Sequence, residues 1–496
     1  MQLDPATCFR ALLARDARYD GRFFTCVRTT GVYCRSICPA RHPKFANCIF
    51  VPSAAAAQEA GFRPCLRCRP ESSPDLGAWR GTSATVSRAL ALIEGGALDE
   101  SRVEALAARL GIGGHQLRRL FKQHLGAAPI TVAQTRRVLL AKQLIHQTRL
   151  SLTEIALASG FGSVRRFNET FQQLYNRPPS ALRRGKGLTP SGASAGAPTI
   201  ALLLPYRPPY DWETIIGFLG ARAIPGVETV ADGLYRRVIQ IADAIGWIEV
   251  AHKPAQSGLL TTVSFNRLDA LPAIIASIRR VFDLAADPMA ITAALSQDPV
   301  LAPCVAARPG LRVPGGWDGF EIAVRAVLGQ QITVAAARRL AGKLAASFGD
   351  TVADGTAPAG LTHAFPRPEQ VDAEGVGLLG MPRARAASIA GLARAVYGDP
   401  QLFDPRQDLA NAIARLVELP GIGEWTAQYI AMRGLNENDA FPAADIGLIR
   451  AFADLTGKRP TAAELLARAE GWRPWRAYAA LHLWTADAAR TLARAA

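Results

Sequence analysis

The sequence predicts a multidomain α+β protein. It divides into a small cysteine-rich domain, an all-α domain of two related helical units, an α+β subdomain and a larger all-α domain. Three observations predict this. The length, 496 residues, exceeds what one hydrophobic core organises, so several modules are expected. Seven of the eight cysteines precede residue 69. A pattern recurs at an offset of 50 residues: Glu104 with Glu154, Leu117 with Phe167, Phe121 with Phe171, Pro129 with Pro179.

Composition narrows the function classes. Hydrophobic residues make up 49% and charged residues 20%, and no apolar run approaches the roughly 20 residues that span a bilayer, so neither a disordered chain nor a membrane protein is expected. Lys and Arg number 57 against 41 Asp and Glu, a formal charge of +16, which favours a polyanionic partner such as nucleic acid. The start, Met1-Gln-Leu-Asp-Pro-Ala-Thr-Cys8, lacks the basic-then-apolar pattern of a secretory signal, and a cytoplasmic protein is expected. Thiols stay reduced there, so clustered cysteines point to metal or thiolate chemistry before disulfides.

The elements follow in order. Residues 1–78 combine the cysteines with short aromatic and β-branched runs such as Arg22-Phe-Phe-Thr-Cys-Val27, and read as a small mixed domain. Residues 82–184 carry apolar residues at helical spacing. Residues 185–198 read GKGLTPSGASAGAP, the composition of a flexible linker. Across 199–285, strand-like runs (199–204, 259–265) alternate with helical ones (212–221, 271–282), which predicts an α+β subdomain. Residues 286–496 read as almost entirely helical, punctuated by Pro-Gly breaks.

Cys34-x3-Cys38 and Cys65-x2-Cys68 form two close pairs separated by 26 residues, the spacing of a tetrahedral four-cysteine zinc site. Spacing alone fits a purely structural zinc knuckle. The string Arg28-Thr-Thr-Gly-Val-Tyr-Cys-Arg-Ser-Ile-Cys-Pro-Ala-Arg-His42, with Ala60-Gly-Phe-Arg-Pro-Cys-Leu-Arg-Cys68, resembles the amino-terminal domain of Ada-type adaptive-response regulators. The resemblance implies that Cys34 is both ligand and nucleophile, taking a methyl group from a DNA methylphosphotriester while Cys38, Cys65 and Cys68 complete the zinc set. Arg28, Arg35, Arg41, Arg63, Arg67 and Arg69 are candidate phosphate contacts, the alternative for each being a solvated surface charge. Cys8, Cys26, Cys48 and Cys304 read as ordinary core or surface thiols.

Each repeated unit has a helix (103–110; 153–158), a glycine-containing turn (111–114; 160–163) and a second helix with a basic face, a helix-turn-helix layout. Leu117, Leu120 and Phe121 are expected inside, with His115, Gln116, Arg118, Arg119 and Lys122 outside; in the second copy Phe167 and Phe171 face in, and Arg165, Arg166, Asn168 and Glu169 out. The stretch Ser151-Leu-Thr-Glu-Ile-Ala-Leu-Ala-Ser-Gly-Phe161 and residues 167–179 resemble the AraC-type DNA-binding domain, which implies two helices reading adjacent major grooves.

Leu419-Pro-Gly-Ile-Gly-Glu-Trp-Thr-Ala427 resembles a helix-hairpin-helix, whose turn offers backbone N–H groups to a phosphate; Gly421 and Gly423 are its candidate DNA contacts. With Phe441-Pro-Ala-Ala-Asp-Ile-Gly-Leu448 it resembles the hairpin and catalytic aspartate of the HhH-GPD glycosylase superfamily. Val324-Arg-Ala-Val-Leu-Gly-Gln330 and Trp472-Arg-Pro-Trp-Arg-Ala-Tyr478 narrow the resemblance to AlkA-type 3-methyladenine DNA glycosylases. The resemblance implies base flipping, with Asp445 stabilising an oxocarbenium-like sugar and Trp425, Tyr429 and Trp484 lining the base pocket. Trp425 stands where strand-cutting relatives carry lysine, so a monofunctional enzyme is expected. No cysteine follows Cys304, so no iron–sulfur cluster is expected. Gln330 and Gln331 stand at the duplex-facing loop, and Gln331 replaces the leucine wedge of the AlkA pattern.

The two resemblances cover about 1–184 and 199–496. They imply an alkylation-repair enzyme with a regulatory head, acting on lesion-bearing double-stranded DNA and promoter DNA. RNA polymerase enters as a partner only through the activator role, and a monomer is the expected state. The rival reading is a regulator whose carboxy-terminal half binds DNA without catalysis, for which Asp445 would be dispensable. A suicide O6-alkylguanine methyltransferase is set aside, because Cys304 sits in Pro-Cys-Val-Ala and a Pro-Cys-His-Arg acceptor motif is missing.

Overall fold

The computed structural model describes residues 4–74, 84–183, 199–353, 355–404 and 408–495. The expected linker, 185–198, and the expected domain limits at 78, 82 and 184 lie outside these residues. The strands are β1 (Phe24–Val27), β2 (Val32–Cys34), β3 (Cys48–Val51), β4 (Arg63–Pro64), β5 (Thr199–Pro205), β6 (Glu228–Ala231), β7 (Leu234–Ile241), β8 (Ala244–Lys253) and β9 (Gly258–Ser264). The chain forms two compact units: the first holds the described residues up to 207 together with 253–276, the second 208–252 and 277 onward. Residues of the 199–285 stretch therefore occur in both.

In the first unit the order is β3-β1-β2-β4, with Gly31 at φ +62° in the β1–β2 turn, a conformation other residues adopt only at a cost. The antiparallel register sets Cys26 opposite Tyr33 and Thr25 opposite Cys34. Alternation then gives the sheet two different faces. Phe24, Cys26 and Tyr33 pack into a core with Ala54 and Ala57, and Cys34 lies on the other face among Cys38, Cys65 and Cys68.

The helical units follow the expected layout closely. The first has helices Val103–Arg109 and Gly114–Leu125, the second Leu152–Ala158 and Val164–Tyr175, joined by the long helix Pro129–Gln147. Gly111 and Gly160 turn at φ +69° and +85°. A capping box starts the second unit: Ser151 Oγ accepts from the Glu154 N–H at 3.2 Å, and Glu154 Oε2 accepts from the Ser151 N–H at 2.7 Å. Leu117, Phe121, Phe167 and Phe171 are fully buried.

The cysteine domain is fastened to the long helix. Ser53 Oγ donates to the Leu125 carbonyl at 2.7 Å, and the buried Lys142 ammonium donates to Glu71 at 2.8 Å and to the Cys65 carbonyl at 3.4 Å. Further along, the Gln143 amide donates to the Leu203 carbonyl at 2.9 Å, while Gln147 accepts the Leu203 N–H at 3.0 Å. Strand β5 is thus held by glutamines of the helix as well as by its antiparallel partner β9.

The second unit carries the meander β6-β7-β8. Asp232 and Gly233, both at positive φ (55° and 71°), make the β6–β7 turn, the two-residue hairpin that Asp-Gly favours. Beyond residue 286 the described residues are helical apart from isolated bridges such as Thr351 with His363. Two apolar cores organise the helices, one including Val324, Leu344, Ile389 and Ile430, the other Leu301, Leu448, Trp472 and Leu483. A buried ion network ties the meander to the helix Gly319–Leu328: Arg237 pairs with Glu321 at 2.7 Å and with Glu228 at 3.4 Å, and Arg325 bridges Glu321 and Glu228. Burial would raise the Glu228 carboxyl, but Arg325 and Arg237 bring it down to about 2.

Candidate functional site

The ligand atoms of Cys34, Cys38, Cys65 and Cys68 all lie within 4.8 Å of one another, and all four residues are buried. Four sulfurs about 2.3 Å from a central zinc would stand roughly 3.8 Å apart, so the cluster fits the metal. Electrostatics says the same. Hydrogen bonds with the other three thiols push the Cys34 thiol far above its usual range, while bonds from Cys34, Cys38 and Cys68 hold Cys65 well below it. Four sulfurs this close do not all ionise until a cation shares the site.

Backbone donors are unevenly distributed over the four. Cys65 accepts the Arg67 N–H and Cys68 the Arg35 N–H, each at 3.4 Å, and Cys38 accepts the Ala40 N–H. Among the described residues no backbone N–H bonds to Cys34. Beside Cys34 opens a cavity of about 290 Å³, lined also by Thr25, Arg41, His42 and Arg63. Arg28, Arg41, Arg67 and Arg69 are exposed around this domain, but Arg35 corrects the expectation: it is 8% exposed, paired with Asp20 and bonded to the Cys68 carbonyl at 3.2 Å. A guanidinium so placed braces the metal loop. Of the remaining thiols Cys8 and Cys26 are core, pushed by burial to about 11 and about 12, and Cys48 and Cys304 are half-buried.

Arg118, Arg119, Arg165 and Arg166 are all exposed on the second helices of the two units. Arg118 pairs with Glu104, and Arg165 with Glu169 at 2.8 Å, exposed pairs that yield readily to a phosphate.

In the second unit Asp445 is the N-cap of the helix Ile446–Thr456, its Oδ1 accepting the Leu448 N–H at 3.0 Å. It is also gripped from two sides: the Trp425 indole donates to Oδ2 at 2.9 Å and the Trp484 indole to Oδ1 at 2.8 Å. Gly447 allows this approach, since a Cβ there would lie 3.0 Å from Oδ1. These residues wall a cavity of about 480 Å³ with Tyr429, Phe218, Arg222 and Arg433. The Trp425 and Tyr429 rings stack at 5.6 Å and 10°. Arg222 lies over Phe218 at 3.8 Å, and Arg433 donates to the Tyr429 hydroxyl at 2.7 Å. Burial would raise the Tyr429 phenol, yet Arg433 and Arg222 leave it below its usual range. Sequence reasoning missed Phe218, Arg222 and Arg433; the signal was an arginine following the apolar run Ile215-Ile216-Gly-Phe218-Leu219.

The hairpin turn stands next to the cavity. Gly421 has φ +83°, and a Cβ on it would meet Ser388 Oγ at 2.0 Å; Gly423 caps the helix Glu424–Arg433. The Gln330 side chain donates to the Gly421 carbonyl at 2.9 Å and to Thr426 Oγ1 at 3.1 Å, so its amide is spent on fixing the hairpin. This differs from the expected DNA contact. Gln331 is exposed at φ +56°, at the tip of the loop.

A glycine-turn hairpin beside an aromatic cavity closed by a clamped carboxylate, joined to a four-thiolate domain and two helix-turn-helix units, defines a DNA-acting repair protein with a regulatory module. Family models match in four places: the metal binding domain of Ada at 7–71, a helix-turn-helix domain at 106–185, the AlkA N-terminal domain at 201–318, and the HhH-GPD superfamily base excision DNA repair protein at 324–477. The chain is 42% identical over 98% of its length to the Mycobacterium tuberculosis protein named "Probable bifunctional transcriptional activator/DNA repair enzyme AlkA", covering 97% of that protein. Over 57% of its length it is 36% identical to the Escherichia coli DNA-3-methyladenine glycosylase 2, covering 95% of it. The solved structure of a 3-methyladenine DNA glycosylase from Archaeoglobus fulgidus shares its fold over 57% of this chain and 97% of that one, at a TM-score of 0.51 and 23% identity. The chain belongs to the family of bifunctional transcriptional activator/DNA repair enzymes that join an Ada-type zinc domain to an AlkA-type glycosylase.

Proposed function

We propose that this protein excises alkylated purines such as 3-methyladenine from duplex DNA with Asp445, and accepts a methyl group from DNA methylphosphotriesters on Cys34. The clamped carboxylate of Asp445, facing the aromatic cavity, carries the first part. An alkylated purine bears a positive charge, so the C1′–N bond breaks with its electron pair passing to the base, which departs neutral. The sugar becomes cationic, and the Asp445 carboxylate, fixed by two indoles and one backbone N–H, stabilises it without reorganising. Water oriented by the same carboxylate completes hydrolysis. Trp425, Tyr429 and Trp484 line the pocket of the flipped base, and Gln331 is the residue that fills the gap it leaves.

At the other site Cys34, Cys38, Cys65 and Cys68 would hold a zinc ion, which would keep their thiols deprotonated at neutral pH. Among the described residues Cys34 is the sulfur left without a backbone N–H donor, so its electron density is the least restrained of the four. Its lone pair forms the S–CH3 bond as the C–O bond breaks, the pair leaving on the phosphodiester oxygen; no proton moves. Four thiolates with zinc sum to −2 and methylation leaves −1, which reduces repulsion of DNA phosphates. The methylated protein then holds promoter DNA more tightly through the faces bearing Arg118, Arg119, Arg165 and Arg166, a monomer addressing RNA polymerase. The domains of this reading are 1–78, 82–184, a linker at 185–198, 199–285 and 286–496.

The test is release of free base from methylated DNA. Asp445→Asn is expected to abolish release while Cys34→Ala spares it. Release undiminished in Asp445→Asn would favour the regulator whose carboxy-terminal half only binds.

A further inference from the structure

Thr25 is fully buried, yet its hydroxyl has no hydrogen-bond partner. Such a group is costly unless something arrives to meet it. Its position says what arrives. Thr25 stands directly opposite Cys34 in the β1–β2 register, so the two side chains share the face that carries the sulfurs. Both line the cavity of about 290 Å³, and a second buried atom there, Nε2 of His42, is likewise without a partner. The neighbouring backbone donors are already committed to Cys38, Cys65 and Cys68.

We propose that Thr25 is a catalytic residue of methyl transfer: its hydroxyl donates to the phosphate oxygen that departs from the methyl group. This rests on the reading of Cys34 as acceptor. Directly opposed residues place their Cβ atoms about 4.5–5.5 Å apart, on the scale of an in-line sulfur–methyl–oxygen array. The oxygen is nearly neutral in the triester and anionic in the product, so a donor held there strengthens as the reaction proceeds. As the S–C bond forms and the C–O bond breaks, the pair moves onto that oxygen, and the Thr25 proton stays on Thr25. Because the hydroxyl does not bond to the Cys34 sulfur, it leaves the nucleophile undamped.

The experiment uses the full-length, zinc-loaded protein and its Thr25→Val and Thr25→Ser variants. Single-turnover transfer from a duplex with one methylphosphotriester is followed by the mass of the Cys34 peptide, alongside zinc content and anisotropy-measured affinity for unmodified duplex. Thr25→Val is expected to react about 10- to 100-fold more slowly with zinc content and affinity unchanged, and Thr25→Ser to stay within about threefold of the parent. A Thr25→Val protein that reacts at the parental rate or faster overturns the proposal, as does a Thr25→Ser protein as slow as Thr25→Val. A parent that gains no methyl on Cys34 overturns the acceptor reading itself, and this one with it.

Discussion

Asp445 holds two positions in one: helix cap and clamped carboxylate. An aspartate before a helix is ordinarily a cap, and this one is. It is reached besides by Trp484, 39 residues on, whose indole donates to the same carboxylate as Trp425. That convergence is not a pattern of spacing, and only the folded chain displays it. Trp425→Phe separates the two uses of the ring. It keeps the stack on Tyr429 but deletes a hydrogen bond to a charged group worth about 1.5–3 kcal/mol, so kcat for base release is expected to fall about 10- to 100-fold with KM little changed. A KM rise alone would assign Trp425 to base binding only. At the loop tip, Gln331→Ala is expected to slow excision from duplex DNA while leaving single-stranded substrate unaffected, as comparative single-turnover rates would reveal.

Among the elements, the hairpin depends on one glycine. Gly421→Ala must adopt a positive φ and displace Ser388, and is expected to cost about 1–3 kcal/mol and weaken duplex binding, measurable as a lower Tm and a higher Kd. Adding Ser388→Ala removes the Oγ clash but leaves the Cβ of residue 388 at 2.8 Å and the backbone strain, so it should restore only part of the loss. The helical elements and β5 were legible because their apolar periodicity is strong and their caps are spelled out, as at Ser151 and Glu154. Strands β6, β7 and β8 were not singled out, although the Asp232-Gly233 turn signalled them. Buried charges along β6, β7 and β8, Glu228, Arg237 and Glu249, break the alternation that marks a half-buried strand, and their partners are supplied by tertiary contacts.

Over the whole molecule, acid sensitivity follows from a buried imidazole. Burial lowers His482 from 6.5 to about 4, so between those values the unfolded chain binds a proton that the folded chain refuses. Stability of its unit should therefore decline as pH falls from about 6.5 toward about 4, by about 1.4 kcal/mol per unit. His482→Gln is expected to flatten that slope in pH-dependent denaturation curves. Chelation should act elsewhere: the residues of the base cavity all belong to the second unit, so removing zinc is expected to end methyl acceptance while base release persists. The cysteine set and the hairpin–aspartate pair were legible from sequence because ligand and motif spacings are local. Phe218 and Arg222 were not, because they reach the cavity from two hundred residues away. The grip on Asp445 has an optical consequence as well. The two indoles that hold the carboxylate are fluorophores facing the space a flipped base would enter, so emission at Trp425 and Trp484 would register each lesion captured, with no added label.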